Sequence, residues 1–82
     1  EEFEGMISSV MSFGMFVELD NLVEGLVPVR LMDDFFVFDE ERMTLVGERS
    51  HIKYTIGERV LIKVVAASKE AKTIDFEIVK KL

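Results

Sequence analysis

The sequence has 82 residues, 49% of them hydrophobic and 32% charged, with a net charge of −6; a chain this short closes one hydrophobic core, so a single domain of ordinary globular composition is expected. It contains no Cys and a single His, His51, which excludes disulfides, thiolate metal sites and a zinc site built on histidines. No apolar run approaches the roughly 20 residues of a membrane span and no basic-then-apolar start marks a signal peptide, so no membrane partner is expected. The chain opens at Glu1-Glu2-Phe3 without Met, as a domain cut from a longer protein would, and a fragment is expected.

The charge is lopsided. Up to Glu48 two basic residues, Arg30 and Arg42, stand against twelve acidic ones, whereas from Arg49 onward eight bases face four acids. A net acidic chain is the wrong sign for covering a duplex, but this distribution is compatible with a narrow path for one strand.

In chain order, Phe3 to Val10 reads as a strand, and the shift of its apolar positions between Ile7 and Val10 predicts a bend or bulge. Met11 to Gly14 is a tight connection in which Gly14 supplies backbone freedom. Met15, Val17 and Leu19 then alternate with Phe16, Glu18 and Asp20, the period of a strand with one wet face, and Phe16 falls on that face. Asp20-Asn21 turns the chain, so that Met15–Leu19 and Leu22–Val29 form a hairpin, with Pro28 at an edge or strand end. Arg30-Leu31-Met32 is a single helical turn. Phe35–Phe38 and Met43–Val46 flank a polar turn and form a second, smaller hairpin. Gly47 to Tyr54 is mixed. After Gly57 comes a strong strand, with Val60, Ile62 and Val64 inward and Arg59, Leu61 and Lys63 outward. Ser68 to Lys72 is a polar loop. The last strand turns Ile74, Phe76 and Ile78 inward and Thr73, Asp75 and Glu77 outward, and Lys80-Lys81 is read as a frayed tail. No segment holds helical spacing for three turns. The fold class is all-β: a small five-stranded antiparallel Greek-key barrel of the oligonucleotide-binding (OB-fold) type with an extra short hairpin, its competitor being a barrel of the SH3 or Tudor kind.

Two rings near Gly14 stand out. Phe16 has acidic neighbours on its own face, which core packing does not explain; for Phe13 the choice between core and surface stays open. Phe35, Phe36 and Phe38 read as a satellite core beneath the second hairpin, and Tyr54 as stacking or packing with its hydroxyl in water. The carboxylates Asp33, Asp34, Asp39, Glu40 and Glu41 read as a solvated loop rather than a divalent-metal site, so no cofactor or metal is assigned to this chain.

Gly5-Met6-Ile7-Ser8-Ser9-Val10, Ser12-Phe13-Gly14-Met15-Phe16-Val17, Val23-Glu24-Gly25-Leu26-Val27 and Tyr54-Thr55-Ile56-Gly57-Glu58-Arg59-Val60 together resemble the S1 RNA-binding domain over nearly the whole chain. Asp33-Asp34-Phe35-Phe36 with Phe38-Asp39-Glu40, Leu45-Val46-Gly47-Glu48-Arg49 and Ile74-Asp75-Phe76 are similar to the version carried by the ribonuclease II/R family of processive 3′-to-5′ exoribonucleases. The resemblance implies a module that grips single-stranded RNA on one face of the barrel, residues 1–82 being one such domain. It implies that Phe13 and Phe16 stack on bases and that Lys72 contacts the strand. Pro28 stands where the family often has His, and Ser68 where it often has Asp, so these two are left out of the site.

An exposed Phe stacks on any base, contributing roughly 1–3 kcal/mol with little sequence choice, and cations hold phosphates; the candidates are Lys63 and Lys72, with Lys69 in the adjacent loop and Lys53 beyond. The resemblance further implies that hydrolysis, and the magnesium it uses, belong to another domain of the parent enzyme, that the other domains of that chain are partners, and that the location is cytoplasmic. The reading from a different class is a protein-interaction barrel that docks a basic partner through exposed aromatics and acidic loops.

Overall fold

The computed structural model describes all 82 residues. Eight strands form: β1 (Glu2–Met11), β2 (Gly14–Leu19), β3 (Glu24–Pro28), β4 (Phe36–Asp39), β5 (Thr44–Gly47), β6 (Lys53–Thr55), β7 (Arg59–Ser68) and β8 (Thr73–Lys81), with a 3-10 turn at Val29–Leu31. Five of them close a barrel in the order β1-β2-β3-β8-β7, and β4-β5-β6 make a separate antiparallel sheet in the excursion between β3 and β7. The expected five-stranded Greek-key barrel is present. Its neighbours pair antiparallel except at one seam, where β3 meets β8 in a single parallel pairing, Leu26 with Asp75.

The core is the inward set of these strands. Ile7, Val10, Met15, Val17, Val27, Val60, Ile62 and Phe76 are fully buried in the barrel, and Leu45 and Tyr54 reach the same cluster from the smaller sheet. The bend expected in β1 is a register shift between Ile7 and Ser9 against β2. The turn before β7 docks on that shift: Ile7 N donates to the Glu58 carbonyl and Gly57 N to the Ile7 carbonyl.

Three expectations change. Val64 is 46% exposed, not inward, because β7 is shifted against β8 between Val64 and Ala66 and its ladder with β1 ends at Lys63, so the tip of the β7–β8 hairpin runs past the barrel. The second hairpin gains a third strand, since Lys53–Thr55 pairs with Thr44–Val46. Lys80 and Lys81 are not a frayed tail: both lie in β8 opposite Leu61 and Val60. Of the two readings of Tyr54, packing is the one present: the side chain is buried, and its ring lies 5.6 Å from that of Phe36.

Two clasps hold the smaller sheet. Asp34 accepts from the backbone N–H of Ser50 at 2.8 Å, from Ser50 Oγ at 2.8 Å and from Phe35 N at 2.7 Å. These bonds, led by that from the Ser50 backbone, hold its carboxyl at about 2 against an ordinary 3.8. At the other end Glu58 accepts from Thr55 N at 2.8 Å and Thr55 Oγ1 at 2.7 Å and from Lys81 Nζ at 2.9 Å, while Lys81 also donates to the Lys53 carbonyl. Burial alone would push the Glu58 carboxyl up, but the bonds from Lys81 and Thr55 outweigh it and leave it below its usual range.

Candidate nucleic-acid interface

The candidate residues gather on the outer face of β2, β3 and β8. Direct pairing puts Phe16 beside Leu26 and Leu26 beside Asp75, so these three side chains form one row across three strands. Ser8 Oγ donates to the Phe16 carbonyl at 3.3 Å and to Glu24 Oε2 at 2.7 Å, which ties the end of this row to β1. Gly14 makes the approach possible, because a Cβ there would strike the Val27 carbonyl.

Phe13 is brought in by a second device. Its carbonyl accepts a hydrogen bond from Val29 N at 3.0 Å, which pins the β1–β2 turn to the 3-10 turn and sets Phe13 next to Arg30. Phe13 is 52% exposed and Phe16 half-buried. Exposure thus supports Phe13 more strongly than alternation alone suggested. The two rings meet edge to face, with centroids 6.4 Å apart and planes at 85°, so they offer two surfaces at right angles rather than a slot between parallel rings.

Two adjoining cavities flank the row. One, of about 360 Å³, is lined by Phe13, Leu26, Pro28, Val29, Arg30 and Asp75. The other, of about 340 Å³, is bounded by Phe16, Leu26, Asp75, Glu24, Lys72 and Ile74 among others. Leu26 and Asp75 belong to both, so the two are one continuous groove. Its charges nearly balance: Arg30 and Lys72 face Asp75 and Glu24.

Of the residues singled out by sequence, Phe13, Phe16 and Lys72 come together here. Lys69 sits in the same β7–β8 loop, exposed, without lining the groove. Lys63 lies across from Glu77, its Nζ 4.0 Å from Glu77 Oε1. Lys53 lines a different, polar cavity of about 420 Å³ with Asp39, Arg42, Thr44, Thr55, Glu58 and Lys81. Arg30 was missed. Its only local signal was a basic residue in an acidic half, and it enters the groove through the tertiary bond between Val29 and Phe13. The acidic loop residues do not converge: no group of three or more His, Cys, Asp or Glu side chains is placed to hold a metal ion, and Asp39 is engaged by Arg42 at 3.1 Å.

Known proteins resemble this chain in sequence and in fold. Ribonuclease R of Ureaplasma parvum is 46% identical over 80 residues, covering 96% of this chain and 11% of the relative. Ribonuclease R 1 of Lactococcus lactis is 49% identical over 78 residues, 94% of this chain and 10% of the relative. The structure of Mycoplasma genitalium RNase R in complex with ribose-methylated single-stranded RNA superposes with a TM-score of 0.87 at 33% identity, over 96% of this chain and 13% of that one. The chain therefore spans about a tenth of the length of the relatives it matches. The family model of the S1 RNA-binding domain matches residues 1–79, all but the end of β8, and with that match the chain belongs to the S1 RNA-binding domain family.

Proposed function

We propose that this domain holds single-stranded RNA in the groove over β2, β3 and β8, and that it serves as an accessory substrate-binding domain of a longer 3′-to-5′ exoribonuclease of the ribonuclease R type. The observation that carries the reading is the pairing of an exposed Phe13 with a half-buried Phe16 at a groove flanked by Arg30 and Lys72. Rings at right angles stack on two successive bases that are themselves splayed, which a single strand tolerates and a duplex does not. Lys72 meets a phosphate on one side, and Arg30 supplies a second cation at the other end of the groove. Because Glu24 and Asp75 offset that charge, stacking contributes more of the grip than electrostatics does. Lys63, Lys69 and Lys53 extend the contact for a strand that leaves the groove. Hydrolysis and its magnesium belong in this reading to another domain of the parent, whose other domains add affinity by avidity.

Titration of a labelled single-stranded oligoribonucleotide with the 82-residue chain tests this. Binding is expected at low salt, weaker at high salt, and weaker by roughly 1–3 kcal/mol in Phe16→Ala, the worth of one stacked base. Absence of binding at low salt, or indifference to the substitution, overturns the assignment.

A further inference from the structure

The half of the groove beside Phe13 holds two groups that stacking and phosphate contacts leave unexplained. Asp75 Oδ2 lies 3.8 Å from Arg30 Nη2, too far for a hydrogen bond. Around them stand Phe13, Leu26, Pro28 and Val29. The Asp75 side chain is 29% exposed and that of Arg30 65%. A carboxylate set among apolar walls is costly unless its oxygens accept hydrogen bonds, and those of Asp75 have only this long ionic contact. On an RNA-binding face it also repels phosphates. Water reaches it in the free domain, and a strand that covers the groove displaces that water and leaves the carboxylate in need of donors from the ligand.

Of the four bases, guanine alone has two adjacent donors, N1–H and the N2 amino group, that can meet both oxygens of a carboxylate. It also carries the O6 and N7 acceptors that suit a guanidinium. Adenine and cytosine place a ring-nitrogen acceptor beside their amino group, and uracil flanks its single N–H with carbonyls, so each sets at least one acceptor against Asp75. A base stacked on Phe13 has its edge over the Leu26–Asp75 row, within reach of Arg30, whose side chain is free to follow it.

We propose that Arg30 and Asp75 read guanine, so that the groove prefers a strand with guanine in the Phe13 position over one with adenine, cytosine or uracil. The proposal rests on the RNA-binding reading of this groove. Both members of the pair come from segments held in place by backbone bonds: Arg30 through Val29 N to the Phe13 carbonyl, and Asp75 through its pairing with Leu26.

The test is fluorescence anisotropy on the 82-residue chain with octauridylates that carry uridine, guanosine, adenosine, cytidine or inosine at one central position. Guanosine is expected to tighten binding about five- to a hundredfold over uridine. Inosine, which lacks only the N2 amino group, falls between them. Asp75→Asn and Arg30→Gln each remove the difference between guanosine and uridine, and the inosine arm gives the same information on the unaltered protein. Equal affinity for all five strands overturns the guanine assignment; if Phe16→Ala still weakens them all, RNA binding by the groove stands. A guanosine preference that survives both substitutions overturns the assignment to this pair. Failure to bind any strand removes the RNA-binding reading as well.

Discussion

At Gly25 the backbone of β3 passes over the ring of Phe76, and a Cβ there would lie 2.6 Å from two of its ring carbons and 2.9 Å from the Ile74 carbonyl. Phe76 is fully buried and cannot yield, so Gly25→Ala is expected to destabilise the domain by about 1–3 kcal/mol in urea unfolding, the usual cost of overpacking. The same close approach seats Leu26 and thereby the groove. Asp34 gives a pH-dependent counterpart. Its carboxyl sits at about 2 when folded against an ordinary 3.8, so the folded state favours the ionised form. That contribution is fully present above about pH 4 and is lost as the pH falls toward 2. Replacing Asp34 with Asn should therefore lower the melting temperature near neutrality and flatten its dependence on pH across that window, as thermal melts would read. At Lys72 the backbone is left-handed, with φ 55°, which makes Asn, tolerant of that region, a better charge-removing substitute than Ala.

The elements were legible to different degrees, and the reasons are physical. β2 and β8 announce themselves because each has one dry and one wet face, and alternation reports that difference directly. Alternation says nothing about where a partner strand stops, which is why Val64 reads as core although the β1 ladder has ended one residue earlier. β6 is three residues long, too short to display a period. Lys80-Lys81 looks like a charged tail, yet Lys81 spans from Glu58 to the Lys53 carbonyl and sits 5.6 Å from the Tyr54 ring centroid. This end of β8 is thus a clasp on β6. Glu58→Gln should loosen it, and hydrogen exchange is expected to show faster exchange at Lys53–Thr55 with little change at Phe16 and Leu26. In the groove, the outward place of Phe16 was readable from a strand period and Phe13 was singled out mainly by the family resemblance, whereas Arg30 depends on a contact between segments sixteen residues apart and was not.

For the molecule as a whole, net charge opposes binding while the groove's own cations support it, and salt separates the two. If on an all-uridine strand, which offers Arg30 no guanine, Arg30 and Lys72 each neutralise one phosphate, log K should fall with log salt at a slope of about −1.4, and Lys72→Asn should reduce the slope by about 0.7, the counterion release for one contact on a single strand. Isothermal titration at three ionic strengths measures both. In the proposed parent, deleting this domain should weaken RNA binding and leave single-turnover cleavage at saturating RNA intact. The parallel seam between β3 and β8 bears on the barrel's own stability. It rests on one pairing, Leu26 with Asp75, and those two residues are also the shared floor of the groove. A ligand lying there straddles the joint at which the sheet closes on itself, as a stitch crosses a hem. By linkage it favours the closed cylinder over any form in which that joint has parted, so RNA occupancy and closure of the barrel would rise and fall together.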